Sequence, residues 1–144
     1  MIKIEINQQV GKKISERWLN KIVKGIFGVV GAKNAEISVA FVGDREMEKL
    51  NKVWRGKNKT TDVLSFTYEK YKRGSKKPLV GEIIISYPRA ARQAKERKAS
   101  TAEEIKMLLI HGALHLAGYD HERNLRQARE MEKLQNKMVK LLNS

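Results

Sequence analysis

Hydrophobic and polar residues alternate at the start of the chain, where Ile2, Ile4 and Ile6 are separated by Lys3, Glu5 and Asn7. A period of two sends one set of side chains to each face of a strand, so the chain is expected to open with a half-buried strand. From about residue 14 to residue 27 the period lengthens. Ile14, Trp18, Leu19, Ile22, Val23 and Ile26 recur at helical spacing, and Gly28 and Gly31 supply stop signals. Ile37, Val39 and Phe41 return to period two, after which Gly43-Asp44 caps a predicted helix carrying Met47, Leu50 and Trp54.

Thr61 to Thr67 is β-branched and aromatic enough for a strand, and Leu79 to Ser86 makes another around Gly81. The stretch between them holds Lys70, Lys72, Arg73, Lys76 and Lys77. It reads as a solvated hairpin connection, with a phosphate-facing arm as the alternative. Ser86-Tyr87-Pro88 starts a short helix through about Lys98, its proline tolerated in the first turn. Thr101-Ala102-Glu103-Glu104 reads as a capping box opening a helix to about Ala117, with Gly118 as its stop. Asn124 caps a last helix whose stripe of Leu125, Ala128, Met131, Leu134, Met138 and Leu141 is expected to pack in the core. Strand, helix, strand, helix, two strands and then helices describe a small α+β domain.

Composition bounds what such a domain can be. With 144 residues, 41% of them hydrophobic and 32% charged, the chain can pack one core, and residues 1–144 are taken as a single domain. A formal net charge of +14 attracts polyanions at long range, which makes nucleic acid the first partner to consider. A membrane surface would require a basic amphipathic anchor or a lipidation signal, and Met1 to Ile6 offers neither. No run approaches the roughly 18 apolar residues that span a bilayer, and no signal peptide opens the chain, so a soluble, cytoplasmic protein is expected. The absence of cysteine excludes disulfides and thiolate metal sites. An aromatic content of 6% suggests few platforms for stacking bases.

All three histidines fall in His111-Gly112-Ala113-Leu114-His115-Leu116-Ala117-Gly118-Tyr119-Asp120-His121. On a helix, His111 and His115 lie one turn apart on the same face, close enough for both to meet one ion at about 2.0–2.1 Å. Gly118 lets the chain leave the helix in a left-handed conformation, so that His121 can swing back as a third ligand. Three protein ligands with an open fourth position describe a catalytic zinc site. Met107 to Gly118 contains no charged residue, so the helix should be largely buried. The competing reading makes each histidine a core residue satisfied by a hydrogen bond. Three neutral ligands would leave the ion its full charge and acidify a bound water toward a pKa of about 7. The zinc-peptidase pattern puts a glutamate directly after the first histidine as general base, and here that place is Gly112. With a basic chain and no such base, a phosphodiester is the expected substrate.

These residues resemble the YbeY-type endoribonucleases, bacterial rRNA-maturation factors. The segment His111 to His121 matches the family's metal motif. Asn51-x-x-x-Arg55 leading to Thr61-Asp62-Val63-Leu64-Ser65-Phe66 is a second block, and Gly81-Glu82-Ile83 a third. The family usually has proline where Thr60 stands and often aspartate where Glu82 stands. The resemblance implies a mixed four-stranded β-sheet packed with helices, with a zincin-like helix bearing the histidines. It implies a metal-dependent, single-strand-specific endoribonuclease acting in small-subunit rRNA 3′-end maturation and ribosome biogenesis. It further implies one Zn2+ per chain, or another divalent metal, held by His111, His115 and His121, with Arg55 in the active-site cleft. The partners implied are rRNA and the ribosomal small subunit or assembly factors, with no membrane and no small-molecule cofactor.

In that reading Arg55 stabilises the negative charge of the phosphate transition state through its planar donor fork, although by itself it could be a surface charge at a helix end. Asp120 either accepts from a ligating imidazole or caps the turn after Gly118. Glu82 is a second such acceptor or, with Gly81, marks a bulge. Some of Lys57, Lys59, Arg89, Arg92, Lys95, Arg97 and Lys98 should contact phosphates. Two other classes remain open, a non-catalytic RNA-binding assembly factor and a zinc peptidase.

Overall fold

The computed structural model describes residues 1–56, 61–69, 71, 72, 74, 76–119 and 124–142, the side chain of Arg55 excepted. Strand β1 (Ile2–Gln8) alternates half-buried and exposed side chains, as its period of two demands. Helix α1 (Glu16–Val30) begins where the Ser15 side chain accepts from the Trp18 amide, and ends at Gly31 with φ 85°. Of the two glycine stops, the chain uses Gly31, and Gly28 stays helical. Strand β2 (Ala35–Val42) and helix α2 (Asp44–Arg55) follow, the helix closing on Gly56.

Strands β3 (Val63–Thr67) and β4 (Leu79–Ser86) lead into helix α3 (Tyr87–Glu96), capped by Ser86. Helix α4 (Thr101–Leu116) carries the histidines, and helix α5 (Leu125–Leu141) starts from the Asn124 cap. The cap of α4 is Ser100, one residue earlier than the expected box: its hydroxyl accepts from the Glu103 amide and bonds the Glu103 carboxylate at 3.1 Å. This frees Glu104 to turn inward. Among the described residues no helix is long and apolar enough to cross a membrane.

The four strands form one mixed sheet in the order β1-β2-β4-β3. The first three are parallel and β3 is antiparallel to β4 at the edge. Alternate residues of β4 face opposite layers. Leu79, Gly81, Ile83 and Ile85 join the main core with α1 and α4, while Ile84 packs with Val42, Leu64 and Met47 under α2. Helix α5 lies behind α4, burying Met131 and Met138. Leu125 and Leu141 are 67% and 59% exposed, so the expected stripe is buried only in its middle.

Two glycines let α4 approach the sheet. A Cβ on Gly81 would lie 2.9 Å from Leu116 Cδ2 and 3.1 Å from the Phe66 carbonyl oxygen; one on Gly112 would lie 3.0 Å from Ile83 Cγ2 and 3.5 Å from Val63 Cγ2. Gly81 pairs in unbroken register with Ile37 on one side and Thr67 on the other. It therefore marks close packing and not a bulge.

At the opposite end of the sheet, the Ser86 hydroxyl donates to Asp44 Oδ1 at 2.8 Å and Arg92 Nη1 donates to Oδ2 at 2.9 Å. This joins α2, β4 and α3. The bond from Arg92 foremost, with that from Ser86, holds the Asp44 carboxyl below its ordinary pKa against a smaller opposing effect of burial.

Two stability predictions follow from these contacts. Gly112→Val should cost about 1–3 kcal/mol through overpacking, and Gly112→Glu should cost more because its carboxylate would enter the sheet without a partner. Denaturant titration reads both; a Glu variant as stable as the wild type would show that α4 does not sit this close to β3 and β4. A lowered folded-state pKa means that the contribution of Asp44 is present at neutral pH and is lost as pH falls through the depressed value. With 38% of its side chain exposed, Asp44→Asn should cost under about 1 kcal/mol at pH 7. That difference should close in strong acid, as followed by thermal melts across pH.

Candidate metal centre

Helix α4 is buried along most of its length because Leu109, Ile110, Ala113 and Leu114 are all closed to solvent. His111 and His115 are only half-buried, on the side left open. Their Nε2 atoms stand 3.2 Å apart. The ring centroids are 4.7 Å apart with planes at 72°. Two nitrogens bound to one tetrahedral zinc at about 2.0–2.1 Å would be about 3.3–3.4 Å from each other, so the pair has the separation of two ligands sharing an ion. The two rings are thus spaced to give two ligands to one ion, and without an ion 3.2 Å is a hydrogen-bond distance between them. Among the described residues no third His, Asp or Glu completes the group. His121 and Asp120, which the sequence reading places there, lie outside the described residues.

A partner that the sequence reading missed comes from α5. Gln135 Oε1 is 3.2 Å from His111 Nδ1. Gln135 sits between Met131 and Met138 on the face of α5 that packs against α4. A polar residue within that apolar stripe was the available signal.

Seven residues before His111 on the same face of α4, Glu104 is 2% exposed. Arg97 Nη1 donates to its carboxylate at 3.2 Å. Gln93 Nε2 lies 3.5 Å from Glu104 and 3.4 Å from Asp62 Oδ2, while Asp62 Oδ1 accepts from the Val63 amide at 2.8 Å. This network joins the Thr61-Asp62 segment to α3 and to the start of the histidine helix. Sequence reasoning treated Arg92 and Arg97 among the cations flanking the site. Arg92 pairs with Asp44 and Arg97 with Glu104, while more than half of each arginine side chain stays exposed. Lys57 and Lys59 lie outside the described residues.

Helix α2 approaches from the other face of the sheet. Its last residue is Arg55, whose side chain lies outside the described set. One position earlier, Trp54 stacks on Phe66 of β3 with centroids 4.7 Å apart and planes at 19°, and Tyr68 meets Phe66 edge-on at 6.4 Å. Trp54 is 57% and Tyr68 66% exposed. Few as the aromatics are, three of them are gathered into one exposed strip. Glu82 pairs with Phe66 in the sheet and faces this side, away from the histidines. Its carboxylate accepts from the Tyr68 hydroxyl and pushes the phenol above its ordinary pKa. The structure thus removes Glu82 as a partner for a ligating imidazole, since a strand sends neighbouring side chains to opposite faces.

The family model described as Endoribonuclease YbeY matches residues 2–143. The chain is 42% identical over 137 residues to the Endoribonuclease YbeY of Sulfurihydrogenibium sp., covering 94% of this chain and 90% of that one. It is 38% identical over 145 residues to that of Persephonella marina, covering 100% and 95%. The solution structure of TM1509 from Thermotoga maritima superposes with a TM-score of 0.66 at 28% identity, over 99% of this chain and 89% of that chain. With a family match along almost the whole sequence and relatives of this identity and coverage, the chain belongs to the endoribonuclease YbeY family.

Proposed function

We propose that the protein is a metal-dependent, single-strand-specific endoribonuclease that acts in the cytoplasm on the 3′ end of small-subunit rRNA during ribosome biogenesis. Its partners in this reading are rRNA and the ribosomal small subunit or its assembly factors. The observation that carries the reading is the convergence of His111 and His115 Nε2 at 3.2 Å on the open side of an otherwise buried helix, in a chain of this family with a net charge of +14.

His111, His115 and His121 would hold one zinc, or another divalent ion. An ion bound there supplies Lewis acidity toward a phosphate oxygen and an acidified water. Arg55 would donate its paired N–H groups to non-bridging phosphate oxygens, where negative charge grows as the bond to phosphorus breaks. The exposed faces of Trp54, next to Arg55 in sequence, and of Tyr68 would offer unpaired bases a surface to stack on. A peptidase base is disfavoured by geometry as well as by sequence: position 112 faces Ile83 and Val63, so a side chain there would meet the sheet before any substrate.

Titration calorimetry should show one zinc taken up per wild-type chain and none by His111→Ala, with cleavage of single-stranded RNA lost in the same variant. Zinc uptake that fails in the wild type, or RNA cleavage that survives in His111→Ala, would sink the reading in favour of a binding factor; casein cleavage without RNA cleavage would favour a peptidase. RNA affinity should fall steeply between about 50 and 200 mM salt, by about 0.7 in log–log slope for each phosphate contacted on a single strand. A flat salt response would remove the electrostatic part of the argument.

A further inference from the structure

We propose that Gln135 is the residue that sets the tautomer of His111 and thereby aims its Nε2 lone pair at the metal position. The inference rests on the metal reading given above and adds to it a residue from a different helix. A neutral imidazole carries one proton, and whichever nitrogen holds it cannot bind an ion. The amide oxygen of Gln135, 3.2 Å from Nδ1, accepts that proton's hydrogen bond. This keeps the proton on Nδ1 and leaves Nε2 unprotonated, 3.2 Å from the Nε2 of His115. With the amide reversed, its N–H2 would donate to Nδ1, the proton would move to Nε2, and the metal position would be blocked.

The surroundings of Gln135 favour a fixed amide. It is half-buried, with Met131 and Met138 at the preceding and following turns, both almost closed to solvent. A second contact sets the register of α5 on α4: Lys106 Nζ donates to the Leu142 carbonyl at 2.8 Å. Both contacts run in the antiparallel sense: going forward on α4 from Lys106 to His111 goes with going back from Leu142, the cap residue of α5, to Gln135. The pairing of Gln135 with His111 thus lies within the packing of α5 on α4. Partners of this kind, which orient a ligating histidine through its other nitrogen, commonly contribute about 10–100-fold to metal affinity.

The test compares the wild type with Gln135→Met, which keeps length and apolar packing but removes the acceptor, and Gln135→Glu, which restores an acceptor. Ring-nitrogen NMR of the metal-free protein reads the tautomer, and zinc competition titration reads the affinity. Support requires His111 protonated on Nδ1 in the wild type, a loss of that preference with a roughly 10–100-fold weaker zinc site in Gln135→Met, and recovery of both in Gln135→Glu. Should Gln135→Met not fold, as judged by circular dichroism, Gln135→Leu takes its place. Unchanged zinc affinity in the folded variant overturns the proposal, as does an Nε2-protonated His111 in the wild type. If the wild type binds no zinc, it is the metal reading that fails. The tautomer measurement still decides the Gln135 contact, with Nδ1–H supporting it and Nε2–H overturning it.

Discussion

The histidine helix is held against the sheet at two positions that have no side chain, and the rest of the site depends on that closeness. Leu116 of α4 presses on Gly81 of β4, and Gly112 of α4 rests against Ile83 and Val63. A methyl group at either glycine would already crowd its neighbours, so the gap between the helix and β3–β4 is set by bare backbone. Once that face is pinned, the 3.6-residue period puts His111 on the flank and His115 one turn below it. Both remain half-buried because the sheet holds one side of the helix and α5 covers only part of the other.

Buried charge performs the same task at the start of this helix. Glu104 and Lys106 are 2% and 8% exposed, a state that charged side chains reach only when partnered. Glu104 takes Gln93 of α3 and Arg97, the residue that caps α3, and Lys106 takes the carbonyl of Leu142, the residue that caps α5. Removing one member of such a set leaves the other uncompensated, which disfavours any sliding of α4 relative to α3 or α5. The cost of these contacts is tolerable because each one joins two helices whose apolar faces already meet.

Much of this was legible in the residues. The alternation in β1 and β2, the helical periods of α1 and α2, and the one-turn spacing of His111 and His115 are local patterns, and local physics reproduces them in the structure. The resemblance carried the mixed sheet as well. What escaped depends on long-range packing. Leu125 and Leu141 belong to the same stripe as Met131 and Met138, yet α5 leans on α4 only through its middle, so its ends stay exposed. Ser100 takes the cap from Thr101 because Glu104 has a buried role that no local pattern announces. Gln135 reads as an ordinary polar residue until the register of α4 on α5 brings it to His111. The side chain of Arg55 and the whole of His121 lie outside the described residues.

The edge strand β3 explains how parts from opposite faces of the sheet can serve one substrate. Leu116, one residue beyond His115, packs on Gly81, and Gly81 pairs with Thr67. Trp54, one residue before Arg55, stacks on Phe66, the neighbour of Thr67. The end of the histidine helix therefore reaches β4 at the residue that pairs with Thr67, and the end of α2 reaches the neighbouring Phe66 from the opposite face. In an interior strand they would be separated by the sheet, since no ligand could pass from one face to the other. Among the described residues no strand lies beyond β3 in the sheet order, so the two faces meet around an edge and are not divided by further strands. On the proposed reading a flexible polyanion could round that edge, whereas a duplex is broader and stiffer. A site at the sheet's edge, and not over its centre, would on that reading favour single strands over duplexes.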